Sequence, residues 1–208
     1  MLTIGLTGNV ASGKTKAADR WRERGVVVID ADRLGHEVLR EDLAARAALV
    51  EAFGQGVLGP DGAVDRGALG ERAFADPEAT RRLNAIVHPP LLARLDRELA
   101  AARAAGHAIA VVDAALVFEF GIDAAMDVNV LVTAPRGVRA ERLRARGLDE
   151  ARIERIMASQ MPDAEKAESC VFVIENGGSI EDLRARADEV LDAIRAGRDT
   201  NNRGGPDG

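Results

Sequence analysis

Eight residues near the start of the chain, Gly8-Asn9-Val10-Ala11-Ser12-Gly13-Lys14-Thr15, fit the pattern G-x-x-x-x-G-K-[ST] at every required position. The pattern constrains the fold because it works only as a turn between a buried strand and a helix. Both flanks are present. Leu2-Thr3-Ile4-Gly5-Leu6 is short and apolar and reads as the strand, while Lys16 to Arg24 reads as the helix, closed by Gly25. Glycine lets backbone N–H groups converge on a phosphate without a Cβ in the way. The helix N-terminus adds partial positive charge at the same point. Residues Gly8, Asn9, Val10, Ala11, Ser12, Gly13, Lys14, Thr15 and Lys16 are therefore expected to cradle a nucleoside triphosphate. Lys14 is expected to reach its β- and γ-phosphates, and the Thr15 hydroxyl to ligate Mg²⁺.

The remaining strands follow from short apolar runs. Val26-Val27-Val28-Ile29 reads as a second strand and a parallel neighbour of the first, ending in Asp30-Ala31-Asp32. Ligands of open α/β sheets sit beyond the carboxyl ends of the strands, so these carboxylates are placed to face the triphosphate. Capping of the next helix is the competing role, favoured for Asp30; chemistry is favoured for Asp32. A third strand, Ala108 to Val112, ends in Asp113, in the form of a strand whose carboxylate holds Mg²⁺ or its water shell. Further strands are expected at Val128 to Val132 and Val171 to Ile174.

Residues 33–105 lack a convincing strand and carry helical spacing instead. Seventy residues between core strands exceed an ordinary crossover. They read as an inserted helical subdomain for a second substrate, interrupted at His88-Pro89-Pro90, where the prolines start the next helix. For His88 a ligand contact and a structural hydrogen bond fit equally. Arg66 fits either substrate binding or a solvated surface, and Glu119 either the substrate junction or a salt bridge.

Pro135 opens a helix carrying Arg136, Arg139, Arg142 and Arg146 on one face. Residues of about 136–165 are expected to form a lid, its arginines stabilising charge on a transferring phosphoryl or pairing with neighbouring carboxylates. Asn176-Gly177, beyond the fifth strand, is expected against the base of the nucleotide or as a plain turn. Ile180 to Ala196 reads as a last amphipathic helix and 197–208 as a disordered tail, leaving 1–196 as a single domain.

Composition narrows the class. A net charge of −6 argues against a duplex nucleic-acid binder. One cysteine, Cys170, allows no intrachain disulfide and fits a reducing cytoplasm, with packing as its expected role. No apolar run reaches the roughly 18 residues of a membrane span, and the immediate first strand leaves no room for a signal peptide. A monomer or weak homo-oligomer is expected. A guanine-reading Asn-Lys-x-Asp motif is missing, which weighs against a GTP-driven switch.

The chain resembles the dephospho-coenzyme A kinases. The likeness runs from Thr3 to about Ala196. It rests on Leu6-Thr7-Gly8, Ile29-Asp30-Ala31-Asp32, Phe53-Gly54, Gly62 with Asp65-Arg66, Leu69, Phe74, His88-Pro89, Phe118-Glu119, Glu141-Arg142-Leu143, Gln160 and Asn176-Gly177. Departures are Ala115-Leu116-Val117 in place of Pro-Leu-Leu, a missing glutamine near Val138, and Val171 in place of an aspartate. The resemblance implies an α/β fold: a P-loop parallel sheet flanked by helices, with a helical substrate insert and a lid. It implies ATP and Mg²⁺, and transfer of the γ-phosphate to the ribose 3′-hydroxyl of dephospho-coenzyme A. Asp32, Lys14 and Arg142 would be catalytic. Arg66, His88, Glu119 and Asp32 would bind the acceptor, Asn176 and Gly177 the ATP, and Thr15 and Asp113 the metal. The competing activity is another nucleotide or nucleoside kinase of the same architecture.

Overall fold

The computed structural model describes residues 1–203 except 116, 119 and 120, with the backbone alone described at 198–203. The expectation for Glu119 falls outside the described residues. Five parallel strands are placed: β1 (Leu2–Thr7), β2 (Val27–Asp30), β3 (Ile109–Asp113), β4 (Val128–Thr133) and β5 (Phe172–Glu175). Their order across the sheet is β2-β3-β1-β4-β5.

This order corrects one expectation. β2 is not the neighbour of β1; β3 lies between them. Burial supplies the reason. Every residue of β3 is buried, whereas Val27 and Val28 of β2 are half-exposed. A run of small and branched apolar residues belongs inside a parallel sheet, and a half-exposed strand belongs at its edge. Leu6 pairs with Asp113 across β1 and β3, so it is the Asp113 carboxylate that stands beside the phosphate loop.

The chain divides into two compact units, Met1–Val28 with Gly106–Gly208, and Ile29–Ala105. In the first, α1 (Lys14–Glu23) and α9 (Ile180–Arg203) pack on the sheet. Ile4, Leu6, Trp21, Val111, Val130, Val132, Ile174, Leu183 and Leu191 form its core. Trp21 is fully buried, and its Nε1 donates to the Ala187 carbonyl at 2.8 Å, which satisfies the one polar atom of a large apolar side chain. Arg20 of α1 pairs with Asp188 of α9 at 2.7 Å. Both bonds tie the helix after the phosphate loop to α9. α9 continues past Ala196 to Arg203, so the expected end of the ordered domain moves outward. Residues 204–208 of the expected tail lie outside the described residues.

The second unit holds α2 (Ala31–Glu41), α3 (Leu43–Phe53), α4 (Arg66–Ala73) and α5 (Pro77–Ala104). Leu49, Val57, Leu69 and Ala73 form a core of their own, with Phe53, Leu83, Ile86 and Val87 packed against it. The four helices start in the same way. Asp30, Asp42, Asp65 and Asp76 are their N-caps, each accepting a first-turn backbone N–H. After the end of β2 at Asp30, no strand occurs among the described residues of this unit beyond the isolated bridge Leu58–Val64. His88-Pro89-Pro90 does not divide it, however: α5 is continuous through both prolines. A proline φ is helical, and the loss falls on N–H groups that would have pointed back to residues 85 and 86. Buried Leu91 and Leu95, with Ile86 and Val87 against the core, hold both halves of the helix by packing.

After β4 come α6 (Arg136–Arg144), α7 (Glu150–Ala158) and α8 (Asp163–Glu168). α6 stops at Arg144, so Arg146 lies beyond the helix, ahead of the left-handed turn at Gly147 (φ 83°). Among the described residues, no helix is long and apolar enough to cross a membrane.

Candidate functional site

The phosphate loop leaves β1 at Thr7 and enters α1 at Lys14. Two glycines are demanded by space. A Cβ on Gly8 would lie 2.4 Å from the Val132 carbonyl, so the loop passes too close to β4 for any side chain. Gly13 has φ 102°, and a Cβ there would lie 2.1 Å from Asn176 Nδ2. Ala11 also adopts a left-handed conformation, φ 60°, which is uncommon outside glycine. α1 begins with Gly13 as its N-cap and has no side-chain cap. Within the first turn the Lys16 N–H donates to the Gly13 carbonyl at 2.9 Å, and among the described residues no side chain caps the helix end.

Lys14 Nζ lies 2.5 Å from Asp113 Oδ1, and both side chains are nearly buried. The expected phosphate-binding lysine and the expected metal-site carboxylate are thus together at the mouth of the loop. Thr15 follows directly in the first turn and is exposed, as is Lys16. A hydroxyl and a carboxylate are the hard oxygen donors that Mg²⁺ takes, and Mg²⁺ at phosphate sites ordinarily fills the rest of its shell with phosphate and water. The donor set fits such an ion. Among the described residues no cluster of three or more His, Cys, Asp or Glu forms a closed metal cage.

The α6–α8 segment is fastened to the loop. Val10 and Ala11 pack against Ala140, Leu143, Ile153 and Met157. The Val10 N–H donates to Gln160 Oε1 at 2.9 Å. Asn9 Nδ2 donates to the Met161 carbonyl at 2.9 Å and to Asp163 Oδ1 at 2.7 Å. The other Asp163 oxygen accepts from Thr133 Oγ1 at 2.5 Å and lies 3.8 Å from Arg139. Asn9 therefore ties the loop to the start of α8 by its side chain. Gln160, Asp163 and Thr133 have functional positions that reading the chain did not assign. Gln160 carried a signal, because it belongs to the resemblance; nothing local marks the other two. Lys166 is fully buried and donates to the Ala115 carbonyl at 3.2 Å. In a short charged helix it reads as a surface residue.

The expected arginine face disperses. Arg136 pairs with Glu154 and Arg144 with Glu150, both at the surface. Arg139 is nearly buried, and its Nε has no hydrogen-bond partner among the described residues. Arg142, expected to contact the transferring phosphoryl, instead donates from Nη1 to the carbonyls of Ala11 (3.0 Å) and Ser12 (3.4 Å). Its Nη2 donates to Asn176 O and Oδ1, both at 3.2 Å. Asn176, expected toward the base, is buried behind the loop and donates from Nδ2 to the Ser12 carbonyl at 2.7 Å. Gly177 is exposed beside the Pro135 ring.

In the helical unit, Asp30 caps α2, its Oδ1 accepting the Arg33 N–H at 2.8 Å, so the structural role holds for this carboxylate. Asp32 stands in the first turn of α2, half-exposed. Arg66 is the exposed first residue of α4, behind its cap Asp65. His88 is half-buried within α5, and burial pushes its pKa below the ordinary imidazole value, leaving the ring neutral at pH 7. Burial likewise raises the Cys170 thiol to about 11, which keeps it protonated and a poor nucleophile.

Comparison with known proteins covers nearly the whole chain. A family model described as dephospho-CoA kinase matches residues 2–182. A dephospho-CoA kinase of Anaeromyxobacter dehalogenans is 45% identical over 199 residues, which span 95% of this chain and 94% of the relative. One from Corynebacterium efficiens is 42% identical, spanning 93% and 98%. A crystal structure of a Thermus thermophilus protein superposes with a TM-score of 0.79 at 35% identity, covering 94% of this chain and 96% of that one.

Proposed function

Because the chain belongs to the dephospho-CoA kinase family, we propose that it transfers the γ-phosphoryl of ATP to the ribose 3′-hydroxyl of dephospho-coenzyme A, giving coenzyme A and ADP. The observation that carries the nucleotide half is the pairing of Lys14 with Asp113 at the open end of an uncapped helix. Lys14 turns from Asp113 to the β- and γ-phosphates as the nucleotide enters, exchanging one anionic partner for another. Thr15 and Asp113 are the residues to hold Mg²⁺, which supplies charge neutralisation on the phosphates when bound.

Asp32 is the proposed base. It hydrogen-bonds the 3′-hydroxyl and accepts its proton as the ribose oxygen bonds to Pγ and the bond from Pγ to the ADP oxygen breaks. Arg66, His88 and Glu119 are the proposed acceptor contacts. Neutral His88 can donate or accept a hydrogen bond, as a hydroxyl or amide substrate group requires. The reaction is placed in the cytoplasm, in keeping with a lone reduced cysteine, and in a monomer or weak homo-oligomer without nucleic-acid or membrane partners.

The test is ADP release measured with purified protein, ATP and magnesium against a panel of acceptors. Dephospho-coenzyme A is expected to give turnover at least about a hundredfold above adenosine, nucleoside monophosphates or water. Equal or faster turnover with a nucleoside or nucleotide makes the protein a kinase of that other substrate class.

A further inference from the structure

We propose that Arg142 and Asn176 are positioning residues that brace the phosphate loop from behind. Arg142 then acts on the reaction through the loop amides and not by touching the transferring phosphoryl. The inference deepens the kinase reading and rests on it only for the identity of the nucleotide.

Hydrogen-bond capacity is the first argument. The two terminal nitrogens of Arg142 carry four N–H groups. Four bonds leave them, to Ala11 O, Ser12 O, Asn176 O and Asn176 Oδ1. None of these terminal donors is left over for a phosphate oxygen. All four acceptors are neutral, and among the described residues no carboxylate pairs with this guanidinium. Its positive charge therefore stays uncompensated directly behind an anion site, where it favours a bound polyphosphate.

Peptide geometry is the second. A trans peptide is planar, with its C=O and N–H pointing in opposite directions. The Ser12 carbonyl is held backward by two donors, Asn176 Nδ2 at 2.7 Å and Arg142 Nη1 at 3.4 Å. The Gly13 N–H of the same peptide is thereby turned forward, toward the side where a phosphate is received. Asn176 is itself fixed, since its backbone N–H donates to the Thr133 carbonyl at 2.7 Å.

Strain is the third. A non-glycine residue in the left-handed region is sterically disfavoured and persists only where the surroundings enforce it. Ala11 has φ 60°, and Arg142 grips its carbonyl at 3.0 Å. The amide of Asn176 also fills the place that a Gly13 Cβ would take, 2.1 Å away. Glycine is thus required at position 13 to admit the brace as well as to reach its own backbone angle.

A brace and a direct contact differ in what they do to ADP, which lacks the transferring group. ADP and ATP binding with magnesium are measured by calorimetry, and initial rates by ADP release, on Arg142→Ala, Asn176→Ala and the double variant. The brace predicts that each single change weakens ADP and ATP alike by about tenfold. KM for ATP should rise in step, kcat should fall less than about threefold, and the double variant should lose little more than the worse single. Unchanged ADP affinity with a kcat fall of thirtyfold or more in Arg142→Ala overturns it, as does full additivity. Should Arg142→Ala not fold, Arg142→Lys carries the same decision. It keeps the charge but loses the planar fork, so the brace predicts weakened ADP, and retained ADP with lost kcat contradicts it. Nucleotide binding needs no acceptor, so a wrong acceptor assignment shows in the acceptor panel and leaves this result standing.

Discussion

The helix that follows the phosphate loop and the helices of the inserted unit begin in opposite ways. α2, α3, α4 and α5 each start under an aspartate that accepts their first-turn N–H groups. α1 starts at Gly13 with no side-chain cap. The electrostatics of a helix N-terminus are the same in both. In the insert the chain satisfies them itself, and each cap is worth about 1 kcal/mol of stability. At the loop no side chain caps the helix, which on the proposed function leaves its end for an anion from outside, and the loop is bonded instead to Arg142, Asn176 and Gln160, with its own Asn9 tied to Asp163. One region uses the helix end to fold, and on the proposed function the other reserves it to bind.

That contrast predicts where substitutions act. The largest effect belongs to Lys14→Ala, which removes the proposed charge-assisted contact to the β- and γ-phosphates. A fall of about a thousandfold in kcat/KM is expected, of the size seen when a donor to transition-state charge is deleted, with the thermal transition little changed. Near-normal turnover would remove the loop from the chemistry.

Asp32→Asn comes next. It keeps shape and hydrogen bonding but removes the proposed base, so kcat is expected to fall about a hundredfold with ATP affinity unchanged. A matching loss of ATP affinity would make Asp32 part of the metal site, and unchanged turnover would move the base elsewhere.

Asp65→Ala sharpens the comparison from the other side. It removes the cap of α4, whose Oδ1 accepts from Gly67 N at 2.8 Å and Ala68 N at 3.1 Å. About 1 kcal/mol of stability should be lost, a drop of roughly 2–4 °C in the melting midpoint, while ADP affinity stays as it was. A loss of ADP affinity without a change in melting would place nucleotide binding at an insert helix and break the contrast.

Smallest is the pH response of His88. Its folded pKa lies below the ordinary value because of burial. Between the two pKa values the unfolded chain binds more protons, so stability falls as pH drops below about 6.5 and is whole above it. Melting curves at about pH 7.5 and 5.5 should show a smaller acid-induced drop in His88→Asn than in the parent protein. Equal drops would remove His88 as a titrating contributor.

How much of this is legible along the chain follows from how local the physics is. The phosphate loop, its strand and its helix are encoded in consecutive residues, and Asp113 is announced by the apolar run that carries it. Asp30 reads as a cap because the helix it caps follows at once. Strand order is less local: it depended on β3 being buried on both faces while β2 is not. Pro89-Pro90 reads as a break because the packing that carries α5 through it comes from residues on other helices. The brace is the least local part. Arg142 and Ser12 are far apart in the chain, as are Asn176 and Ser12. An arginine on a helix with a regular charged face gives no sign that its partners are carbonyls.

The contrast between reserved and satisfied helix ends is tested most directly by following backbone amides in ¹⁵N-labelled protein as ADP and magnesium are added without acceptor. The largest shifts are expected at Gly13, Lys14 and Thr15, with the capped amides Arg33, Ala45, Ala68 and Ala79 nearly still. Large shifts at those capped amides, with 13–15 unmoved, would contradict it.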